Sequence, residues 1–99
     1  MPKSVCIIGA GPAGLVAAKT LLHNAPADDF TVSVFESRDG VGGLWPASPS
    51  DTARPIQPLM EANQSRHTMH FSDHAWEDGA PQVPRAWQVG RYLEAYAAR

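Results

Sequence analysis

Residues 4–14 are Ser-Val-Cys-Ile-Ile-Gly-Ala-Gly-Pro-Ala-Gly, an apolar run that leads directly into three closely spaced glycines. The β-branched residues of this run predict a short strand that is buried on both faces, as in a parallel sheet. From Gly14 onward, small and apolar residues recur at helical spacing and predict an amphipathic helix. The stripe of that helix consists of Gly14, Ala17, Ala18, Leu21 and Leu22. Asn24-Ala25-Pro26 is expected to end it, and Asp28-Asp29 to form a polar connector.

The next predicted strand, residues 30–36, is rich in β-branched and aromatic residues and ends on the acidic side chain of Glu36. Residues 9–14 fit the pattern G-x-G-x-x-G, and the order of strand, glycine loop, helix, strand and acid is typical of a dinucleotide-binding βαβ unit. Glu36 follows Gly14 by 22 residues, close to the usual spacing of about 20. The alternative is a βαβ unit whose glycines serve turn geometry alone.

Each position of the pattern has its own physical role in such a unit. Gly9 permits the tight turn after the strand, Gly11 lets a pyrophosphate approach the backbone, and Gly14 lets the helix pack closely against the strand. The first N–H groups of the helix and the positive end of its dipole then face the phosphates. Glu36 is expected to accept hydrogen bonds from a ribose diol, and its charge disfavours the 2′-phosphate of NADP at this site.

A second glycine group, Gly40-Val41-Gly42-Gly43, immediately precedes Leu44-Trp45. It predicts a second close approach of the backbone to an extended ligand such as FAD, whereas the alternative is a plain flexible loop. Residues 46–58 are proline-rich and predict an extended loop, and residues 59–78 carry scattered apolar anchors. A final helix is predicted from a stripe at Val89, Tyr92, Leu93 and Tyr96.

Composition limits the classes of function. The chain has 99 residues, of which 43% are apolar and 18% charged, with a formal net charge of −2. This predicts one small globular unit without a basic face for nucleic acid or anionic lipid. No apolar run has the length of a membrane span or the pattern of a signal peptide, so we expect a cytoplasmic protein without a membrane segment. A single cysteine excludes an internal disulfide, and Cys6 is expected to be a buried, inert thiol.

Two other groups of side chains could indicate sites. His67, His70 and His74 would share one face of a helix, but their segment lacks helical periodicity, so solvated loop histidines are favoured over a metal site. The three tryptophans are expected to anchor the core and the loops rather than to form a stacking surface, because no basic residues are interleaved with them. They are Trp45, Trp76 and Trp87.

Several of these motifs together resemble the amino terminus of flavin-containing monooxygenases, above all their fungal, dimethylaniline-monooxygenase-like members. The glycine motifs are shared with many flavoproteins, whereas Gly-Gly-Leu-Trp and the stretch from Asn63 to Asp73 are more specific. The resemblance is carried by residues 5–15, Phe35-Glu36, residues 42–45, residues 60–73 and residues 89–97. The sequence departs from the family at Ala62, where a threonine is usual, and at Gln64, where leucine is frequent.

The resemblance implies an α/β fold: a partial Rossmann-like βαβ unit that binds FAD, with an incomplete parallel sheet, a long loop and a terminal helix. Residues 1–99 would be the amino-terminal part of the FAD-binding domain. The NADPH-binding domain, with its own G-x-G-x-x-G, would lie outside them. The pyrophosphate of FAD would be held by Gly9, Ala10, Gly11, Pro12, Ala13 and Gly14. Glu36 would bind the adenosine ribose, and Gly43, Leu44 and Trp45 would lie along the cofactor toward the flavin.

The resemblance also implies a reaction. Asn63 matches the active-site asparagine of the family, which lies beside the flavin and the nicotinamide. In the family, NADPH reduces FAD, and a C4a-hydroperoxyflavin then oxygenates a soft nitrogen or sulfur nucleophile such as an amine, thiol or sulfide. Two alternatives stay open: a truncated, non-catalytic FAD-binding fragment, or the start of another two-dinucleotide flavoprotein, such as a Baeyer–Villiger-type monooxygenase or a reductase. The substrate and the oligomeric state are not indicated.

Overall fold

A computed structural model of the protein describes residues 3–23 and 29–98. Its elements in chain order are β1 (Lys3–Ile8), α1 (Pro12–His23), β2 (Phe30–Phe35) and α2 (Ala86–Ala97). The predicted helix end and the start of the predicted connector, residues 24–28, lie outside the described residues. The chain forms two compact units, residues 1–43 and 44–99, and each is described by itself.

The first unit is a βαβ unit with a parallel sheet. β1 pairs with β2 in register from Lys3 opposite Phe30 to Ile8 opposite Phe35. The N–H of Gly9 donates to the carbonyl of Phe35 at 2.8 Å and continues the ladder into the glycine loop. α1 packs against both strands. The α/β class and the partial Rossmann-like topology predicted from the sequence are therefore confirmed.

The prediction that β1 is buried on both faces is wrong. No residue of this strand is buried, and Ile8 is 81% exposed. Cys6 is exposed as well, which corrects the expectation of a buried thiol. In the described part of the chain the sheet has two strands, so each is an edge strand. The one crossover helix can cover only one face of such a sheet, and apolar side chains on the other face stay in contact with solvent.

The predicted helix exists, but its position and its buried face differ from the expectation. α1 begins at Pro12 rather than Gly14, which agrees with the preference for proline in the first helical position. Its buried side chain is Leu15, which the predicted stripe omitted, whereas Ala17 and Leu22 are exposed. Leu15 and the half-buried Ala18, one turn later, lie on the more buried face. The predicted stripe was wrong because it followed the helical spacing from Gly14 and so left out its neighbour Leu15, the buried side chain of α1.

The second unit is built around α2. All four residues of the predicted stripe are buried, and Ala86 is buried with them, so this prediction is confirmed. The long loop is held to the start of the helix by backbone hydrogen bonds. The N–H of Ala86 donates to the carbonyl of Met60 at 2.7 Å, and that of Trp87 donates to the carbonyl of Pro58 at 3.0 Å. An antiparallel bridge also pairs Glu61 with Arg85.

An aromatic cluster around Tyr92 organises the rest of this loop. The Tyr92 hydroxyl accepts the N–H of Phe71 at 2.8 Å and donates to the carbonyl of His74. The Trp76 ring stacks on Tyr92 with 4.3 Å between centroids, so Trp76 is a loop anchor as predicted. His74 is half-buried and packs against the rings of Tyr92 and Tyr96. The prediction of a solvated loop histidine is therefore wrong for His74, because the loop folds it onto α2.

The described residues contain neither a group of metal ligands nor a membrane-spanning helix. Within residues 3–23 and 29–98, no three histidine, cysteine, aspartate or glutamate side chains are grouped closely enough to hold a metal ion. Across the same residues, no helix is long and apolar enough to cross a membrane.

Candidate cofactor site

The glycine loop makes the sharp turn that the sequence predicted after β1. Gly9 has φ +101°, a backbone conformation that residues with a side chain rarely adopt. Its N–H still bonds to Phe35 at the end of β2. The chain therefore leaves the sheet abruptly, and the loop lies at the carboxyl ends of the two parallel strands, where ligands of open α/β sheets bind.

Gly14 brings α1 against this loop more closely than any other residue would allow. A Cβ atom on Gly14 would lie 2.0 Å from the carbonyl oxygen of Gly9 and 3.4 Å from the Ile7 Cγ2 atom. The first distance is far below any van der Waals contact and involves backbone, which cannot rotate away. This is the helix-to-strand packing predicted for the third glycine of the pattern.

The amino terminus of α1 offers hydrogen-bond donors. The first bond of the helical pattern runs from the N–H of Leu15 to the carbonyl of Gly11 at 3.0 Å. The N–H groups of Ala13 and Gly14 precede it and have no acceptor one turn back within the helix, and Pro12 has no N–H. Donors at the positive end of a helix dipole form a binding site for a phosphate group.

The second glycine group packs directly on the first. Gly42 and Gly43 have φ +115° and +62°, and the N–H of Gly42 donates to the carbonyl of Ala10 at 2.8 Å. A Cβ on Gly43 would lie 3.1 Å from the Gly11 Cα, and one on Gly11 would lie 3.5 Å from the Gly43 Cα. Gly42 and Gly43 therefore have a structural reason to be glycine, in addition to the ligand approach that the sequence predicted.

Glu36 connects the two glycine loops. Its Oε1 atom accepts the N–H of Ala10 at 2.8 Å, and its Oε2 atom accepts the N–H of Arg38 at 2.9 Å. The Arg38 guanidinium in turn donates to the carbonyl of Gly43 at 2.9 Å. The half-buried Glu36 side chain therefore holds the two glycine loops together, at the strand end where a dinucleotide-binding unit carries its acidic residue.

The structure adds Arg38 and Gly42 to the site residues that the sequence predicted. Gly42 could have been found, since it belongs to the glycine group that was singled out and is buried with positive φ. Arg38 carried no comparable signal, because a surface arginine in a loop has many possible acceptors and only the folded loop shows which one it meets.

The other predicted site residues belong to the second unit. The Leu44 side chain is 52% exposed and Trp45 is half-buried. Asn63 is exposed and follows Ala62, whose N–H donates to the carbonyl of Pro84 at 2.9 Å. That backbone bond holds the loop next to Asn63 even though the usual threonine is absent.

Residues 7–78 match the family model described as NAD(P)-binding Rossmann-like domain. The chain belongs to that family. The matched range includes both glycine groups, Glu36 and Asn63.

Curated relatives resemble the chain over nearly its whole length. It is 34% identical over 96 residues to the "Thiol-specific monooxygenase" of Saccharomyces cerevisiae, and the alignment covers 95% of this chain and 22% of the relative. It is 38% identical over 98 residues to "Monooxygenase PC-14" of Penicillium crustosum, with 96% and 16% covered. It is 36% identical over 95 residues to "Probable flavin-containing monooxygenase 1" of Arabidopsis thaliana, with 94% and 16% covered.

These relatives confirm the resemblance to flavin-containing monooxygenases. They support a flavin and a nicotinamide cofactor in general terms. The chain spans 16–22% of the length of these three relatives.

Proposed function

We propose that this chain is the FAD-binding part of an NADPH-dependent flavin monooxygenase. One observation carries the proposal: the positive-φ glycines, the amino terminus of α1 and the Glu36 carboxylate meet at the carboxyl ends of β1 and β2. The backbone donors could hold the phosphates of an adenosine diphosphate group, and the carboxylate could bind its ribose, which is the division of roles known for such units. The names of the relatives support the reaction class.

The predicted site residues would divide the work of binding. Residues 9–14 would hold the pyrophosphate through backbone N–H groups, and Glu36 would accept the hydroxyl groups of the adenosine ribose. Gly43, Leu44 and Trp45 would follow the cofactor toward the flavin. When bound, FAD would supply the redox chemistry: NADPH provides two electrons, one oxygen atom of dioxygen goes to an amine, thiol or sulfide, and the other leaves as water.

Asn63 is the proposed catalytic residue. Its side-chain amide can donate to an oxygen atom and accept from the nicotinamide amide without adding a charge to the site. A neutral group suits a reaction in which water must be excluded and charge kept low. The exposure of Asn63 leaves room for both partners. The NADPH site would lie mostly outside these residues, and we expect the enzyme to be cytoplasmic.

The binding half of the proposal is tested by titrating the purified chain with FAD, FMN and ADP, followed by flavin fluorescence. FAD should bind, ADP should compete with it, and FMN should bind at least tenfold more weakly because it lacks the adenosine diphosphate group. The variant Gly11→Val should lose FAD binding, since an isopropyl group occupies the path of the pyrophosphate. Equal binding of FMN, or retained FAD binding in this variant, contradicts the proposed site.

The catalytic half is tested by oxygen uptake with FAD, NADPH and a soft nucleophile such as a thiol or tertiary amine. Oxygen uptake that depends on NADPH and falls in Asn63→Ala supports the monooxygenase. FAD binding without such uptake indicates that this chain binds the cofactor but does not act as an enzyme by itself.

A further inference from the structure

In the second unit, the carbonyl groups of Pro46 and Ala47, which follow Leu44 and Trp45, contact α2. A Cβ atom on Gly90 would lie 1.8 Å from the carbonyl oxygen of Pro46 and 2.5 Å from its carbonyl carbon. Pro46 is less than 2% exposed, and Gly90 is buried as well. The close contact is between backbone atoms on both sides. Only glycine at position 90 lets this loop approach the helix so closely.

The next residue of α2 holds the next carbonyl of the same segment. The Nε–H of Arg91 donates to the carbonyl of Ala47 at 3.0 Å. The Arg91 guanidinium lies 5.3 Å from the centre of the Trp87 ring, one turn earlier on α2, and this cation–π contact restricts the side chain. Two adjacent helix residues therefore fix two consecutive peptide groups of the loop.

The segment is also held at its beginning. The carbonyl of Leu44 accepts the N–H of Ile56 at 3.4 Å. Residues 44–47 are thus tied at both ends, while the Leu44 side chain stays 52% exposed. A short segment that is held at both ends has few conformations left, so the side chain of Trp45 within the segment and that of Leu44 at its beginning are presented in defined directions.

We infer that Gly90 and Arg91 are positioning residues for Leu44 and Trp45. They act through the carbonyls of Pro46 and Ala47 and touch no cofactor themselves. This inference rests on the proposed function, in which Leu44 and Trp45 lie along FAD. It places a determinant of flavin binding on α2, far along the chain from both glycine groups, and gives the helix a role beyond packing.

The test combines two measurements on the 99-residue chain. The position of Trp45 is followed without any flavin, by ¹⁹F NMR of chain labelled with 5-fluorotryptophan, with the Trp45 resonance assigned through Trp45→Phe. FAD affinity is measured by titration. The variants are Gly90→Ala, Arg91→Met and Arg91→Lys. Gly79→Ala is the matched control, because a Cβ at Gly79 meets nothing within 4 Å.

Arg91→Met should shift or broaden the Trp45 resonance and weaken FAD binding about tenfold, the effect of losing one hydrogen bond to a charged donor. Arg91→Lys keeps a donor and a positive charge, so it should restore most of both signals, which a packing role alone would not predict. Gly90→Ala should change the resonance more strongly, and Gly79→Ala should change neither signal. If Gly90→Ala fails to fold, the variants Arg91→Met and Arg91→Lys still test whether α2 positions Trp45.

Retention of both the wild-type Trp45 resonance and the wild-type FAD affinity in Arg91→Met overturns the inference. An unsubstituted chain that binds no FAD overturns the proposed function for this chain instead. In that case a shifted Trp45 resonance in Arg91→Met still supports the positioning of the loop by α2. The two failures are therefore told apart by the flavin-free measurement.

Discussion

The Glu36 carboxylate accepts the backbone N–H of Ala10 at 2.8 Å, and so joins the end of β2 to the middle of the first glycine loop. Its other oxygen accepts the N–H of Arg38, whose guanidinium bonds to Gly43. One acidic side chain thus fixes the first loop directly and the second through Arg38. The residue expected to bind a ribose also builds the loop that is expected to bind the pyrophosphate.

Glu36→Gln should destabilise the chain even without a ligand. A glutamine side chain has one oxygen acceptor, and its NH₂ group cannot accept, so one of the two backbone N–H groups loses its partner. The loss of a hydrogen bond to a charged acceptor predicts a decrease of about 1–3 kcal/mol in the free energy of unfolding. Urea denaturation measures it. Asp39→Asn, an exposed loop residue nearby, is the charge-matched control, and an equal loss in both variants would contradict this role of Glu36.

Gly14→Ala should be strongly destabilising, because the added Cβ would lie 2.0 Å from the Gly9 carbonyl oxygen. Relief requires movement of the backbone of α1 or of the loop, which predicts a cost of about 1–3 kcal/mol or more. Gly79→Ala, with open space around the new Cβ, should leave the free energy of unfolding within about 0.5 kcal/mol. Equal stability of the two alanine variants in urea would show that α1 does not pack as described.

Tyr92→Phe should loosen the aromatic cluster of the second unit. It removes the hydroxyl that accepts from Phe71 and donates to His74, and so leaves an N–H and a carbonyl of a part-buried loop without this partner. We expect a loss of about 1–3 kcal/mol in the free energy of unfolding. Near-ultraviolet circular dichroism should also change, since Trp76 stacks on the same ring. Thr68→Val, which removes an exposed hydroxyl bond, should have little effect. An unchanged spectrum and stability in Tyr92→Phe would contradict the role of the hydroxyl.

Cys6 should react with a thiol reagent in the folded chain. The thiol is exposed on a strand whose side chains are not buried, so access rather than unfolding controls the rate. Labelling with Ellman's reagent should be complete without denaturant, at a rate near that of a small thiol. Reaction only after urea is added would show that β1 is covered, as the sequence pattern had predicted.

Local patterns were sufficient for much of the fold. The strand, glycine loop, helix and second strand follow from β-branched runs and glycine spacing, and the buried face of α2 follows from its apolar period. These features depend on residues a few positions apart, so they can be recognised in the sequence. The burial of Leu15 could not be recognised, because it depends on which face of α1 packs against the two strands in the folded unit.

The wrong burial predictions for Cys6, Ile8 and His74 have the same physical cause. Cys6 and Ile8 lie in an apolar run, but burial requires a second layer, and in the described part of the chain the two-stranded sheet leaves them exposed. His74 lies in a polar segment, but the loop carries it onto Tyr92 and Tyr96. In both cases the neighbour that decides burial is distant in the chain.

The sequence alone was enough for the class of the molecule, because the turn at Gly9, the glycine-to-acid spacing and the Gly-Gly-Leu-Trp motif can be recognised from residue types and spacing. The tertiary structure decided how those parts are held, through Glu36 on Ala10, Arg38 on Gly43 and Gly90 on Pro46. Each of these contacts involves a backbone group of one partner. Backbone groups are the same at every position, so no residue pattern shows which of them a side chain or a glycine will meet until the chain is folded.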